Sequence, residues 1–327
     1  MILRSDFPKL CDYLDEIFSE NSADSISEMV GPTIFGVQDS DKWSYEYQME
    51  HGVSGVKEIS DGEELPEVTS AEGDSVTWTQ REFGAKCTVT ERTRKFCDYN
   101  SPKVTSMVTS ITEDAWEKVD QSLADVFLHG FSASNYTDVY GKSVSATCPD
   151  GLPVFSALHS NNLNSSVFSN LIVNPAGTTL VGMTREAIVA TRAAALVHKD
   201  ANGIMRPVKL DTILVSPAKY DEAMRIVNSD GLSGEFTRDY NPIKGLVKVV
   251  VWPRLAALPD GTDTSAYWFM YDSKKISRSL KLLWAKRPTL NAPEQVTENN
   301  SWIWKLNYYY SIGRAYPAYV WGSTGAV

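Results

Sequence analysis

Ser101-Pro102-Lys103-Val104-Thr105-Ser106-Met107-Val108-Thr109-Ser110-Ile111-Thr112-Glu113-Asp114-Ala115-Trp116-Glu117-Lys118-Val119-Asp120-Gln121-Ser122-Leu123-Ala124-Asp125-Val126-Phe127-Leu128-His129-Gly130 is the most regular passage of this sequence. Ser101 is a good N-cap, and Pro102 stands at the first helical position, where a missing N–H costs nothing. Val104, Met107, Val108, Ile111, Ala115, Val119, Leu123, Val126 and Phe127 recur every three or four residues and lay one apolar stripe along a helix. Gly130 suits its end. The spacing predicts one continuous helix over 102–129, about 40 Å long at 1.5 Å per residue. A single stripe on so long a rod has to be covered by a sheet or another layer.

The far end of the chain offers that cover. Trp302, Trp304, Leu306, Tyr308 and Tyr310 alternate with Ile303, Lys305, Asn307 and Tyr309, within an aromatic segment running on to Trp321. We expect this strand to pack on the stripe, so that aspartate at Ile111 would bury an unpaired charge and prevent folding. The residues between, 132–295, then read as an insertion. A helix is expected from a Thr184 cap to His198, and a buried strand from Asp211 to Val215. Ser216-Pro217 next opens a helix with Tyr220, Ala223, Met224 and Val227 on one face. Strands are expected at 246–252, 266–271 and 279–284. Toward the N-terminus, Leu10, Leu14, Ile17 and Phe18 predict a short amphipathic helix that docks on another surface, followed by irregular chain to Ser44. A long hairpin is expected over 53–89, with strand-like runs at Val53 to Ile59 and Ser75 to Gln80. The fold class is α+β.

Composition narrows the function. The chain has 327 residues, 43% hydrophobic and 22% charged, which suits a folded protein. No stretch approaches the ~20 consecutive apolar residues that span a bilayer. The start, Met1-Ile2-Leu3-Arg4, lacks a signal-peptide layout, which argues against export. With 31 Lys+Arg against 41 Asp+Glu, the net charge of -10 disfavours tight nucleic-acid binding. Cys11, Cys87, Cys97 and Cys148 are scattered without a C-x-x-C pair. His51, His129, His159 and His198 stand singly, with no H-x-H or H-E-x-x-H. Gly231-Leu232-Ser233-Gly234-Glu235 misses the hydrolase elbow by position. Gly141-Lys142-Ser143 imitates the end of a P-loop, but Tyr136 stands where its first glycine must turn. No catalytic, cofactor or metal residue emerges, which shifts weight toward a structural role.

Three stretches carry a family resemblance. Gly151-Leu152-Pro153-Val154-Phe155-Ser156-Ala157-Leu158-His159-Ser160-Asn161 looks like a "G-x-P-L-F-x-x-x-H-x-N" segment. Leu214-Val215-Ser216-Pro217-Ala218 resembles a strand-proline-helix unit, and Gly313-Arg314-Ala315-Tyr316 before Trp321 resembles a closing strand. With the order of elements, they resemble the tailed-bacteriophage major capsid (major head) proteins of the HK97-like fold, nearest in flavour to the Mu-type head-subunit branch. The resemblance implies an N-terminal arm over 1–50 and an extended hairpin over 51–85. It implies a peripheral domain with a spine helix over 86–131 and 296–327, and an axial domain over 132–295. The implied function is self-assembly into pentamers and hexamers of the icosahedral head, without enzymatic activity, cofactor or membrane. The implied partners are other copies, a separate scaffolding protein, a portal, a decoration protein in some cases, and DNA held only weakly. Assembly would take place in the bacterial host cytoplasm and end in the virion. Many members begin with a scaffolding segment that is later cleaved; here none precedes the arm, so a separate scaffold or prior processing is expected. The alternatives are an encapsulin-type compartment shell, and an α+β binding protein or enzyme suggested only by Trp302, Trp304 and Tyr308 to Tyr310.

The same resemblance puts the subunit contacts on the hairpin. Asp61 to Asp74 carries six acids, Glu63, Glu64 and Glu67 among them, and no base, whereas Arg92, Arg94, Lys95 and Lys103 cluster before the long helix. A hairpin lying over a neighbour near that helix would match acid with base, and Trp78 would add an apolar contact. Some relatives join a hairpin lysine to a neighbour's asparagine. Lys57 is the only lysine between Gly52 and Gln80, with Asn299, Asn300 and Asn307 as acceptors, but no spacing marks a catalytic carboxylate beside them.

Overall fold

The periodic passage is one helix, Pro102–Leu128. The computed structural model describes residues 7–50, 56–62, 64–65, 67, 72–96, 102–161, 166–173, 180–200, 203–229, 241, 243–296 and 300–325, so the expected cap Ser101 lies outside the described residues. The helices are α1 (Phe7–Glu28), α2 (Gly31–Ile34), α3 (Glu91–Phe96), α4 (Pro102–Leu128), α5 (Arg185–Leu196) and α6 (Tyr220–Asn228). The strands begin with β1 (Gly36–Asp39), β2 (Ser44–Glu50), β3 (Glu72–Thr79), β4 (Arg81–Val89), β5 (Tyr136–Thr137), β6 (Ser143–Val144), β7 (His159–Asn161) and β8 (Ser166–Phe168). They continue with β9 (Thr212–Val215), β10 (Lys248–Val251), β11 (Trp268–Tyr271), β12 (Leu280–Leu290), β13 (Glu294–Val296), β14 (Ser301–Arg314) and β15 (Val320–Ser323).

The aromatic strand is the centre of the first sheet. β14 pairs antiparallel with β12 and β13 along one edge and with β4 along the other, and β1 adds to β12 in parallel. Trp304, Leu306, Tyr308 and Tyr310 are buried as the alternation requires. Val104 and Val108 of α4 join Cys87, Val89 and Trp304 in one cluster. Ala115, Trp116, Val119, Leu123 and Phe127 join Phe83, Trp284, Leu306, Tyr308 and Tyr310 in another. The stripe therefore lies along the sheet, as expected. Ile111 is only partly buried, at the join of the two clusters, so Leu123, fully buried, is the sharper place to test the packing.

Several elements differ from the sequence reading. The N-terminal helix is three turns longer than its apolar pattern suggests and docks on the chain's own spine. Leu14 is fully buried in the cluster with Val104 and Val108, and Asn21 Nδ2 donates to Thr109 Oγ1 at 3.0 Å. The stripe on α4 is wider than the sheet alone covers, and α1 takes the remainder. The stretch before Ser44 holds α2 and β1, both too short to give a period. The hairpin's first arm is Ser44–Glu50, not Val53 to Ile59; within that run Val56 to Ile59 form no strand, and 53–55 lie outside the described residues. Strand β12 runs on to Leu290 through Pro288, because its ladder slips register between Lys286 and Thr289 and so asks no hydrogen bond of the proline's missing N–H.

The second sheet runs β10-β9-β11-β15, parallel only between β10 and β9. One face, with Ile213, Val215, Trp268 and Met270, is covered by Ala187 and Ile188 of α5 and Ala223 and Val227 of α6. The other face sends Leu214, Phe269 and Val320 toward Phe127 at the end of α4. Thr184 caps α5, accepting from Ala187 N at 3.2 Å. Ser216 does not cap its helix; it donates to Ser265 O at 2.7 Å. Tyr220, expected on the buried face of α6, is exposed. A boundary at 295/296 does not separate the sheets: β12 precedes it and lies in the first, and β15 follows it and lies in the second.

Two acids on α4 are buried with different outcomes. Asp120 accepts from Gly31 N and Trp252 Nε1, both at 2.9 Å, and so ties α2 and the second sheet's loop to the spine. Asp125 has one oxygen bonded to Gln121 Nε2 at 2.9 Å and the other without a partner among the described residues. Burial, offset by Gln121 and Arg314 and reinforced by the charge of Asp138, pushes its carboxyl up to about 6. This pKa exceeds the unfolded value of about 3.9, so stability is complete below pH about 4 and is lost as pH rises to about 6. Asp125→Asn removes the titration. Relative to the parent, its stability should improve by about 2 kcal/mol between pH 4 and pH 8. Denaturant titrations at both pH values check this, and a parallel pair of curves would contradict it.

Candidate assembly surfaces

The hairpin is anchored at its root and bare at its tip. Tyr45 pairs with Trp78 across the ladder and Tyr47 with Val76, so the aromatic residues share a face. Both tyrosines stack on Trp78, with ring centroids 6.0 and 5.1 Å away. Trp78 in turn lies on β14: a Cβ on Gly313 would meet its ring at 2.6 Å, so only glycine admits the contact. Leu283 and Ala315 complete this cluster. Lys281 Nζ sits 4.9 Å from the Tyr47 centroid, over its face. Gln80 N donates to Trp43 O at 2.8 Å and closes the root.

Trp78 was expected at a subunit contact, and the structure buries it within its own subunit instead. Strand alternation marks a buried aromatic without telling whose surface buries it. Tyr45, Tyr47 and Lys281, which the sequence reading passed over, make this anchor together with Gly313 of the closing strand. The available signal was the Tyr45/Tyr47 alternation in the true first arm.

At the tip, Lys57, Asp61, Glu64 and Glu67 are exposed, as are Val56 and Leu65. Glu63 lies outside the described residues. Gly62 turns this segment with a φ of +84°, a conformation open to glycine. Arg92 is exposed on α3, which Thr90 opens by accepting from Thr93 N at 3.3 Å. Arg94 and Lys95 lie on the same helix and Lys103 at the start of α4, with their side chains outside the described residues. Among the described residues no ion pair joins the tip acids to these bases within one subunit. Of the asparagines, Asn307 already accepts from Lys286 Nζ at 2.6 Å. Asn300 donates to Glu91 Oε2 at 3.4 Å, a carboxylate that the spacing had not singled out. Asn299 is outside the described residues.

The segment Gly151 to Asn161 is a structural plug. Phe155 packs against Phe127, Phe131 and Phe269, and its ring meets the Cβ positions of both Gly130 and Gly322. His159 Nδ1 lies 2.6 Å from Asp150 Oδ2, both side chains buried. Among the described residues no three His, Cys, Asp or Glu side chains converge on a metal-sized site, and no helix is long and apolar enough to cross a membrane.

A family model described as phage capsid protein matches residues 73–321. No curated protein matches the chain in sequence. Among solved structures, the mature capsid of bacteriophage PhiM1 superposes with a TM-score of 0.54 at 15% identity, over 90% of this chain and 86% of that one. The capsid of Myoviridae phage XM1 gives 0.53 at 10% identity, over 90% of both chains. The capsid of cyanophage P-SCSP1u gives 0.51 at 12%, over 90% of this chain and 87% of that one. The family match favours a phage head over a compartment shell or an enzyme. The chain therefore belongs to the phage capsid protein family: it is a major capsid protein of HK97-like fold, a non-enzymatic component of the virion whose copies build the head shell.

Proposed function

We propose that the subunits assemble as pentamers and hexamers, each hairpin tip lying over a neighbour beside α3 and the start of α4. The observation that carries this is the hairpin itself. Its root is clamped to its own sheet, and its tip presents Val56, Leu65 and a run of acids to solvent. A segment fixed at one end with apolar side chains exposed at the other is suited to a partner's surface. In this proposal the sheet beneath α4 lies toward the periphery of each ring and the β10-β9-β11-β15 sheet toward its axis. Scaffolding and portal proteins, and a decoration protein where present, would dock on rings made in the host cytoplasm. The acidic chain would hold packaged DNA only loosely.

Exposed ion pairs contribute roughly 0 to 1 kcal/mol each, so no single pair decides assembly. Complementary charge acts on docking rate and register and is repeated at each interface. Converting Glu63, Glu64 and Glu67 together to glutamine should leave the circular dichroism spectrum unchanged. Shell assembly, followed by light scattering at low salt, should slow, and the difference should disappear at high salt. Normal assembly of the triple variant at low salt would overturn the charge-matching part of the proposal.

A further inference from the structure

The hairpin β5–β6, which follows the spine helix, is fastened to the subunit largely through buried polar groups. Its strands are two residues each, too short to hold together alone. Arg314 of β14 donates from Nη2 to Tyr136 Oη at 2.9 Å and from Nη1 to Ser145 O at 2.7 Å, and so clasps both ends of the hairpin. Asp138 shapes the turn, accepting from Tyr140 N and Lys142 N with one oxygen, and its other oxygen meets Arg81 of β4 at 2.7 Å. Tyr140 Oη lies 3.1 Å from Tyr308 Oη. Between β4 and the hairpin runs a groove of about 500 Å³, lined by Arg81, Phe83, Tyr140 and Lys142 among others, so that side is loosely packed.

Beneath this clasp two groups of opposite charge are left unmatched. Asp125 is fully buried, and its Oδ2 has no hydrogen-bond partner among the described residues; the buried Nε of Arg314 has none either. The guanidinium lies within charge range of the Asp125 carboxyl, yet its two terminal nitrogens are engaged by the hairpin. An acid and an arginine so placed ordinarily pair. We propose that β5–β6 is a proton-controlled latch: while Asp125 is neutral, Arg314 holds the hairpin shut, and once Asp125 is ionised, Arg314 turns to the carboxylate and the hairpin opens more often. Asp125 is faced by Gln121 from its own helix, Arg314 from β14, and Tyr136 and Asp138 from the hairpin, with Arg81 of β4 behind Asp138. One turn along α4, His129 stacks on Tyr136 at 4.2 Å; Cys148 lies near Arg314, and Asp260 near His129. The Asp138 charge opposes ionisation of Asp125 and Arg314 favours it, but burial outweighs both and holds the carboxyl near 6. The latch is therefore shut below that pH and loosens above it. Opening relieves the burial of the carboxylate and bares the rings of Phe83 and Tyr140, which pack at 4.2 Å.

Amide hydrogen exchange of the full chain, at pH about 5 and about 8 and corrected for the intrinsic rate at each, reads the latch directly. A carboxyl at about 6 in the closed hairpin and about 4 in the open one makes opening about tenfold more frequent at the higher pH. Protection of the amides of Asp138 and Gly141, both bonded within the hairpin, should fall by that factor. A low concentration of urea should leave these rates unchanged, because the opening exposes little surface, whereas exchange through global unfolding speeds up with urea. Asp125→Asn keeps the shape of the side chain and removes the titration, so its hairpin protection should be the same at both pH values. No fall in the parent chain, an equal fall in the asparagine variant, or a fall confined to urea-accelerated exchange would each overturn the proposal.

Discussion

Aspartate in place of Leu123 should leave no folded subunit. Leu123 is fully buried in the last two turns of the spine, within the largest apolar cluster. Its side chain lies so close to Gly31 that a Cβ there would be 2.5 Å from Cδ1. Truncating a buried leucine costs about 2–5 kcal/mol before any charge is considered. An unpaired carboxylate at the same place adds several kcal/mol more, and the Asp120 carboxylate beside it would repel it. A domain is typically stable by about 5–15 kcal/mol, so the sum is comparable with the whole. The variant should be recovered only as insoluble or protease-sensitive chain, without a cooperative melt. Ile111→Asp, at the partly buried join of two clusters, should be milder and leave a measurable transition. Soluble Leu123→Asp protein with the parent's near-ultraviolet spectrum would refute the packing of α4 on its sheet.

The second large effect is expected at Asn170, a polar residue with no exposed surface. Its Oδ1 accepts from Ser156 N at 2.8 Å, while Nδ2 faces three carbonyls, those of Val154 (2.6 Å), Val320 (3.1 Å) and Pro317 (3.2 Å). Its backbone bonds with Ser156 O and Gly322 N, so the residue fastens the Phe155 plug to the closing strand from both sides. Alanine would strand one buried donor and several acceptors at about 1–3 kcal/mol each, not fully additive. A loss of about 3–5 kcal/mol in urea unfolding is therefore expected. Asn170→Asp should be worse, because it sets a carboxylate oxygen against those carbonyl oxygens. A loss below about 1 kcal/mol for the alanine variant, less than one ordinary buried hydrogen bond, would contradict this role.

What could be read from the sequence was what repeats locally. The α4 stripe and the β14 alternation each extend over many residues, and each picks out its buried face without help from the rest of the chain. The first arm of the hairpin was placed too late because strand propensity does not distinguish two neighbouring runs. The choice between them was made by Trp78, which stacks on Tyr45 and Tyr47. β1 is four residues long and owes its place to parallel pairing with β12, a partner far away in sequence. The docking of α1 could not be foreseen either, since amphipathy gives a helix an apolar face but does not say which surface covers it. The same limit explains Trp78: burial was legible, and the owner of the burying surface was not.

Copies of this chain build the head shell, and the proposal is that they do so by associating through their own surfaces into rings of five and six, onto which a scaffolding protein docks. Electron microscopy of the purified protein, across a range of salt and protein concentrations, tests it most directly. The account predicts uniform closed particles or rings of five and six copies, with each hairpin tip resting on the neighbouring subunit. A protein that stays monomeric under every condition, or forms only irregular aggregates, would contradict it.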